Sequence, residues 1–348
     1  MFDFQNEDRP ESTGVAVNWD ARREYMVSNC KTANAPESTI AIISGIVDCG
    51  LQAQEDARME FSGSAADEAA VLEEERAKTG KDPVQYFETL QDEKTKAFKR
   101  YKRWPVEPTR SYAVFMDIPG IQLDQGQFFG DESGETHPLR MILNNEFYEA
   151  GIGKVVNKRG YVIREKKHDT KDGVKYALAK TNTLHKLADA TGNLNEYGLF
   201  KPSQLGSLLG KAVLVEYRVY ETENKGKKYL NEKVTLQGRV PSMMTSMIPV
   251  LDPKYVFGVA FKGPQNEEVL KNLRQSVITT MQQASDFKGS TLEAALIKMG
   301  RVKADGAAPA QEAPQKAQSA QPAPQVAKAP AEEKEPMDFD AFDDDLPF

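Results

Sequence analysis

The sequence predicts a mixed, β-rich α+β fold: a small curved β-barrel core with helical insertions, a helical segment behind it, and a disordered C-terminal tail. Three observations lead there. An isoleucine-rich run, "STIAIISGIVDCGLQ" (Ser38 to Gln52), is interrupted by Gly45, and glycine inside such a run marks the bulge or tight bend that a small curved sheet needs. The stretch Lys211 to Pro241 alternates between two faces and reverses once, which makes a long two-stranded ribbon. From Ala304 onward the hydrophobic pattern stops. At 348 residues the chain is long enough for a sizeable core in one large domain or two smaller ones.

The elements follow in order. After the first strand, "AADEAAVLEEERAK" (Ala65 to Lys78) predicts a polar, acidic helix whose few apolar positions suit an insertion or an edge cover. Val84, Phe87, Leu90, Phe98 and Tyr101 then recur at helical spacing. Pro105 and Pro108 end that pattern and introduce a strand at "SYAVFMDIPGIQL". A polar loop, "GDESGETHP" (Gly130 to Pro138), precedes "LRMILNNEF", an apolar segment whose type the pattern leaves open. Residues 153–178 read as three strands joined by turns at Lys158-Arg159-Gly160 and Lys171-Asp172-Gly173, and "TNTLHKLADATG" as a helix. In the ribbon, Val213, Val215, Tyr217 and Val219 fall on one face and Leu214, Glu216, Arg218 and Tyr220 on the other, with a turn near Asn224-Lys225-Gly226. A loop with Met243, Met244 and Met247 leads to two helices, near Asn266 to Ala284 and Ser290 to Lys298. This places an OB-like β-barrel over about residues 38–240 and a helical segment over about 264–300, within a body of residues 1–303. Residues 304–336 are Ala, Pro, Gln and charge with a single branched apolar residue, Val326; such a linker cannot offset the entropy of ordering its backbone.

Composition narrows the classes. No run of about 18 apolar residues exists to span a bilayer, and the acidic start "MFDFQNEDRP" has neither the basic nor the apolar part of a signal peptide. The expected location is the cytoplasm, the host's if the protein is viral. Cys30 and Cys49 lack a CxxC spacing, which argues against a disulfide scaffold or a zinc knuckle. The net charge of -7 is unevenly spread: residues 1–93 carry 20 acidic and 8 basic side chains, residues 94–303 carry 22 and 34, and residues 332–348 hold eight acids against Lys334. A basic middle between acidic ends suits a protein that holds a polyanion, although a solvated pattern with no ligand would read the same.

Specific chemistry is hard to place on an enzyme. "GIGKVV" and "SLLGKA" lack the leading glycine and the hydroxyl residue of a phosphate-binding loop. His137, His168 and His185 lie apart in polar or turn contexts and read as surface histidines; no metal or other cofactor is called for. Glu165 and Asp169 near Lys166 and Lys167, or Glu232 beside Lys233, would serve a metal-dependent nuclease, but any lysine-rich ribbon yields such neighbours. Nucleic-acid binding fits better. In "KTKAFKRYKRW", Lys94, Lys96, Lys99, Arg100, Lys102 and Arg103 surround Phe98, Tyr101 and Trp104; cations neutralise phosphates and aromatic faces stack on unpaired bases. The alternative buries Phe98 and Tyr101 as a helix stripe and leaves the lysines as its wet face. Residues 151–239 hold 18 basic and 9 acidic side chains. Here Lys158, Arg159, Tyr161, Arg164, Lys166, Lys167 and Tyr176, with Arg218, Tyr220, Lys227, Lys228 and Tyr229 of the ribbon, form a second candidate surface. Tyr217 shares its face with valines and reads as core.

The chain closes on "MDFDAFDDDLPF" (Met337 to Phe348). A disordered tether followed by an Asp-rich run, an apolar residue, proline and phenylalanine resembles the C-terminal tip of bacterial single-stranded DNA-binding proteins, and several phage single-stranded DNA-binding proteins end similarly. The body of about 300 residues is larger than that family's lone barrel, as in a virus-encoded or otherwise divergent version. The resemblance implies a non-enzymatic protein that coats single-stranded DNA in replication, recombination or repair and docks partner proteins on its tip. Phe348, with its carboxylate, and Pro347 would be the anchor, Asp343, Asp344 and Asp345 the electrostatic part, and Leu346 the spacer. Two rivals remain: a recombination mediator or replication hub with weak DNA binding, and a metal-dependent DNA-processing enzyme.

Overall fold

The computed structural model describes residues 17–92, 95–143, 147–149, 155–157, 161–163, 165–224 and 226–303. In chain order these hold α1 (Trp19–Cys30), β1 (Glu37–Gln52), β2 (Ala57–Glu60), α2 (Ala65–Thr79), β3 (Tyr86–Gln91), β4 (Phe98–Trp104) and β5 (Thr109–Leu123). Next come β6 (His137–Ile142), β7 (Phe147–Glu149), β8 (Val155–Asn157), β9 (Tyr161–Val162), β10 (Glu165–Thr170), β11 (Gly173–Leu178) and α3 (Thr183–Ala190). The ribbon strands β12 (Ala212–Asn224) and β13 (Lys227–Gly238) precede β14 (Phe257–Val259), α4 (Glu267–Lys271), α5 (Gln275–Gln282) and α6 (Thr291–Lys298). The expected linker and tip lie outside the described residues.

The fold is mixed α+β with a nearly closed, OB-like antiparallel sheet. Its five main strands run in the order β13, β12, β1, β5, β6; β9 also pairs with β5, and the short β14 joins β1 in parallel. The two edge strands, β13 and β6, approach one another, and Arg274 bridges the seam: its Nη2 donates to the backbone oxygen of Arg140 on β6 (2.9 Å) and to Glu232 Oε2 on β13 (2.8 Å). Inside the barrel, Ala41, Ile43 and Ile46 of β1 meet Val114, Met116, Leu139, Met141, Val213, Val215, Tyr217 and Val234. Met26 and Cys30 of α1 and Leu184, Leu187 and Ala188 of α3 belong to the same core.

A second core lies on the outside of the same sheet. Val47 and Cys49 of β1 and Ala113 and Phe115 of β5 pack with Phe257, Phe261, Val277, Met281 and Leu296 of the C-terminal segment. Residues 40–50 are therefore buried on both faces, which is why the run is continuously apolar rather than alternating. The register slips between Ile43 and Gly45, and a Cβ on Gly45 would overlap the Phe257 ring; the glycine is needed for close approach. Arg110 ties the segment down, with Nη1 on Asp48 Oδ2 and Nη2 on Asp286 Oδ2, both at 2.5 Å. Beside it, the fully buried Asp117 accepts from Ser44 Oγ and twice from Arg140, each at 2.8 Å.

Several expectations need correction. The supposed helix between Val84 and Tyr101 is the hairpin β3–β4, which with β2 makes a separate three-stranded sheet in the order β2, β4, β3. Between the two strands Asp92 Oδ1 accepts from Thr95 N, and Lys96 is left-handed (φ 56°). Phe98, which the helix would bury, is 73% exposed. His185 is buried, not at the surface, with Nε2 3.1 Å from Gly198 O. The helix expected near Asn266 to Ala284 is two helices, because Arg274 leaves helical geometry (φ -61°, ψ 137°) as the N-cap of α5. The undecided "LRMILNNEF" supplies β6, and α1 has no counterpart in the sequence reading. Among the described residues, no helix is long and apolar enough to cross a membrane.

Two predictions follow from the double core. Gly45→Val is expected to lower the unfolding free energy by about 1–3 kcal/mol through overpacking, with part of the loss recovered in the Gly45→Val/Phe257→Leu double variant, as read by urea denaturation. Burial pushes the Cys30 and Cys49 thiols from 9.0 up to about 12. The native state then keeps protons that the unfolded chain releases above about pH 9, so stability is expected to fall as pH rises from there toward 12. Cys49→Ala should flatten that slope, and neither thiol should react with iodoacetamide until the protein is unfolded.

Candidate nucleic-acid interface

Strand alternation sorts the charges of the ribbon. Pairing places Tyr217 opposite Val234, Val219 opposite Glu232 and Glu221 opposite Leu230 on the face that continues the barrel interior. Two of its acids are engaged there: Glu221 Oε1 meets Arg23 Nε at 2.7 Å and its Oε2 meets Lys228 Nζ at 3.8 Å, and Glu232 takes Arg274. Glu223, opposite Lys228, lies on that side too. The outward face instead pairs Glu216 with Thr235, Arg218 with Lys233, Tyr220 with Asn231 and Thr222 with Tyr229, and ends at Lys227 beside the turn. Arg218, Lys227, Lys233, Tyr220 and Tyr229 thus share one side of the strands, while Glu221, Glu223 and Glu232, with Lys228 and Tyr217, face the other.

The centre of the outward face is a grid of six residues, Arg218, Tyr220 and Thr222 on β12 against Lys233, Asn231 and Tyr229 on β13. The Arg218 guanidinium lies over the Tyr220 ring at 4.3 Å, and its Nη2 donates to Ala33 O (3.1 Å). Asn231 is 4% exposed and donates from Nδ2 to Thr222 Oγ1 (2.6 Å). Two buried polar atoms here have no partner: the Nε of Arg218 and the Oδ1 of Asn231. Tyr220, Tyr229 and Arg218 are half-buried, and Lys227, Lys228 and Lys233 are exposed. Of the ribbon candidates, Arg218, Tyr220, Lys227 and Tyr229 fall on this face and Lys228 on the other, beside Glu221; sequence reasoning passed over Thr222 and Asn231, which carry neither charge nor ring.

The other candidate residues lie elsewhere. The described residues of "KTKAFKRYKRW" fall on β4, the central strand of the small sheet, and its turn, and three of the five cations among them face carboxylates. Lys99 Nζ meets Glu60 at 2.9 Å, and Arg100 holds Glu68 through Nε (2.6 Å) and Nη2 (2.8 Å). The Glu60 contact holds the Lys99 ammonium above its usual range. Arg103 is buried between Glu88 (2.7 Å) and Glu55 (3.4 Å). Lys102 sits 5.7 Å from the Trp104 ring, and Lys96 is exposed in the turn. On the β10–β11 hairpin, Lys167 pairs with the 60%-exposed Tyr176, whereas Lys166 is opposite Ala177 on the other face. Glu165 and Asp169 are exposed on that same hairpin. Tyr161 lies on β9 opposite Tyr112; its side chain, with Lys158, Arg159, Arg164 and the tip residues, is outside the described residues.

The pairing on β4 predicts a structural role that can be measured. Arg103→Met should lower the unfolding free energy by about 2 kcal/mol, since it strands partly buried carboxylates, as read by urea denaturation. Comparison with protein families, with curated proteins and with solved structures finds no match for the chain, so the architecture and the charge layout of its surface carry the functional reading.

Proposed function

We propose that the protein binds single-stranded DNA without strong sequence preference, in replication, recombination or repair, and that it acts as a binding protein rather than an enzyme. The observation that carries this reading is the outward face of β12–β13, where Arg218, Lys227 and Lys233 surround Tyr220 and Tyr229 on an OB-like sheet while Glu221, Glu223 and Glu232 are turned to the other side. Cations track a phosphate backbone and tyrosine faces stack on bases of any identity. In this reading Lys167 and Tyr176 on the separate β10–β11 hairpin offer a further cation and ring, and Lys99, Arg100 and Arg103 chiefly hold the small sheet together. Recruitment of partner proteins through Asp343, Asp344, Asp345, Leu346, Pro347 and Phe348 is the second half of the proposal, supported by the acidic and apolar make-up of that segment.

Anisotropy of a labelled oligothymidine over a salt series tests it. Binding should weaken with salt, and Lys233→Ala should reduce the slope of log K on log salt by about 0.7. Tyr220→Ala should cost about 1–3 kcal/mol of binding, while Lys99→Ala leaves both quantities unchanged. Removing residues 337–348 should leave DNA affinity unchanged or tighter. Absence of binding at low salt would sink the reading.

A further inference from the structure

The Asn231 amide is an unusual thing to find in the middle of a strand face. It is almost wholly buried, yet only one of its two polar ends is used: Nδ2 donates to Thr222 Oγ1, and Oδ1 has no partner. Buried acceptors are nearly always satisfied, because desolvating one without a hydrogen bond is costly. The strand pairing sets Tyr220 directly across from Asn231 and puts Tyr229 and Lys233 next to it on the same face of its own strand. Across Tyr220, the Arg218 guanidinium covers the ring and leaves its own Nε–H unpartnered. An acceptor lacking a donor, flanked by two stacking rings and two cations, is complementary to a flat ligand with an N–H on its edge and a phosphate on either side.

We propose that Asn231 forms a base-reading site that takes one unpaired nucleobase by its Watson–Crick edge, with Oδ1 accepting the base N–H. The inference rests on the single-strand binding proposed above and adds a cause for strand selectivity. Every base presents an N–H donor on that edge when unpaired, and pairing in a duplex occupies it. The site therefore grips bases of any identity and discriminates against a paired one. Entry of the base requires a flanking side chain to move off the amide; Tyr220 and Tyr229, both half-buried, are placed to do so and then to stack on the base.

The test uses the full chain and two oligonucleotides of equal length, oligothymidine and its N3-methylthymine counterpart, which keeps phosphate, sugar and ring but has no donor on that edge. The unaltered protein should bind the methylated strand roughly fivefold more weakly for each base engaged. Asn231→Val should bind both strands alike, so that the variant and the methylation are coupled rather than additive. Valine removes the unsatisfied oxygen and suits a strand, so its melting temperature should stay level or rise. Equal binding of the two oligonucleotides by the unaltered protein overturns the base-reading site and leaves single-strand binding standing. An equal loss in protein and variant overturns it as well, because the loss then comes from the methyl group's bulk. Failure of the unaltered protein to bind oligothymidine at low salt overturns both readings.

Discussion

Burial of β1 on both faces is the constraint on which the rest depends. Ile43 and Ile46 point into the barrel while Val47 and Cys49 point out under the C-terminal helices, so one strand serves two cores. That demand explains the break at Gly45, where the register shifts and the Phe257 ring takes the space a side chain would fill. It also explains why the polar atoms beside the strand are so fully paired. Asp48 and Asp286 share Arg110, and Asp117 is satisfied by Ser44 and Arg140. Burial still pushes the Asp48 carboxyl up, against the pull of the Gly50 N–H and of Arg110. An unpaired charge at that depth would cost several kcal/mol, about the net stability of many domains.

With the outside of β1 and β5 covered, the outside of β12 and β13 is left to meet solvent. There the alternation of a pleated strand works as a charge filter. Glu221 and Glu232, which would repel a polyanion, instead hold Arg23, Lys228 and Arg274. The Arg274 contact also bridges the seam between the edge strands. The seam and the exposed cationic face thus arise from one pattern, and the binding surface needs no separate element to build it.

Much of this was legible in the sequence. The ribbon, β1, β5, α2, α3 and α6 were read from periodicity, composition and turn residues, and Tyr217 was placed in the core because it shares a face with valines; it is 3% exposed. Phe87, Leu90, Phe98 and Tyr101 misled, since two strands separated by a short charged turn can mimic helical spacing. His185 looked polar from its neighbours, yet it sits in a helix whose other face is core. The small sheet shows the limit of reading charge from composition: Lys99, Arg100 and Arg103 resemble a phosphate-binding run until Glu60, Glu68, Glu88 and Glu55 are brought beside them by folding. Asn231 was illegible for a related reason, because an unsatisfied oxygen is a property of the packed face and has no sequence signature.

The central claim is that the outward face of β12–β13 is where nucleic acid lies. Ultraviolet cross-linking of the full chain to oligothymidine, with the adducts located by mass spectrometry, asks this without altering the protein. The account predicts adducts at Tyr220 and Tyr229, lost in high salt. Adducts confined to Tyr101 and Trp104 of β4, with none on the ribbon, would contradict it.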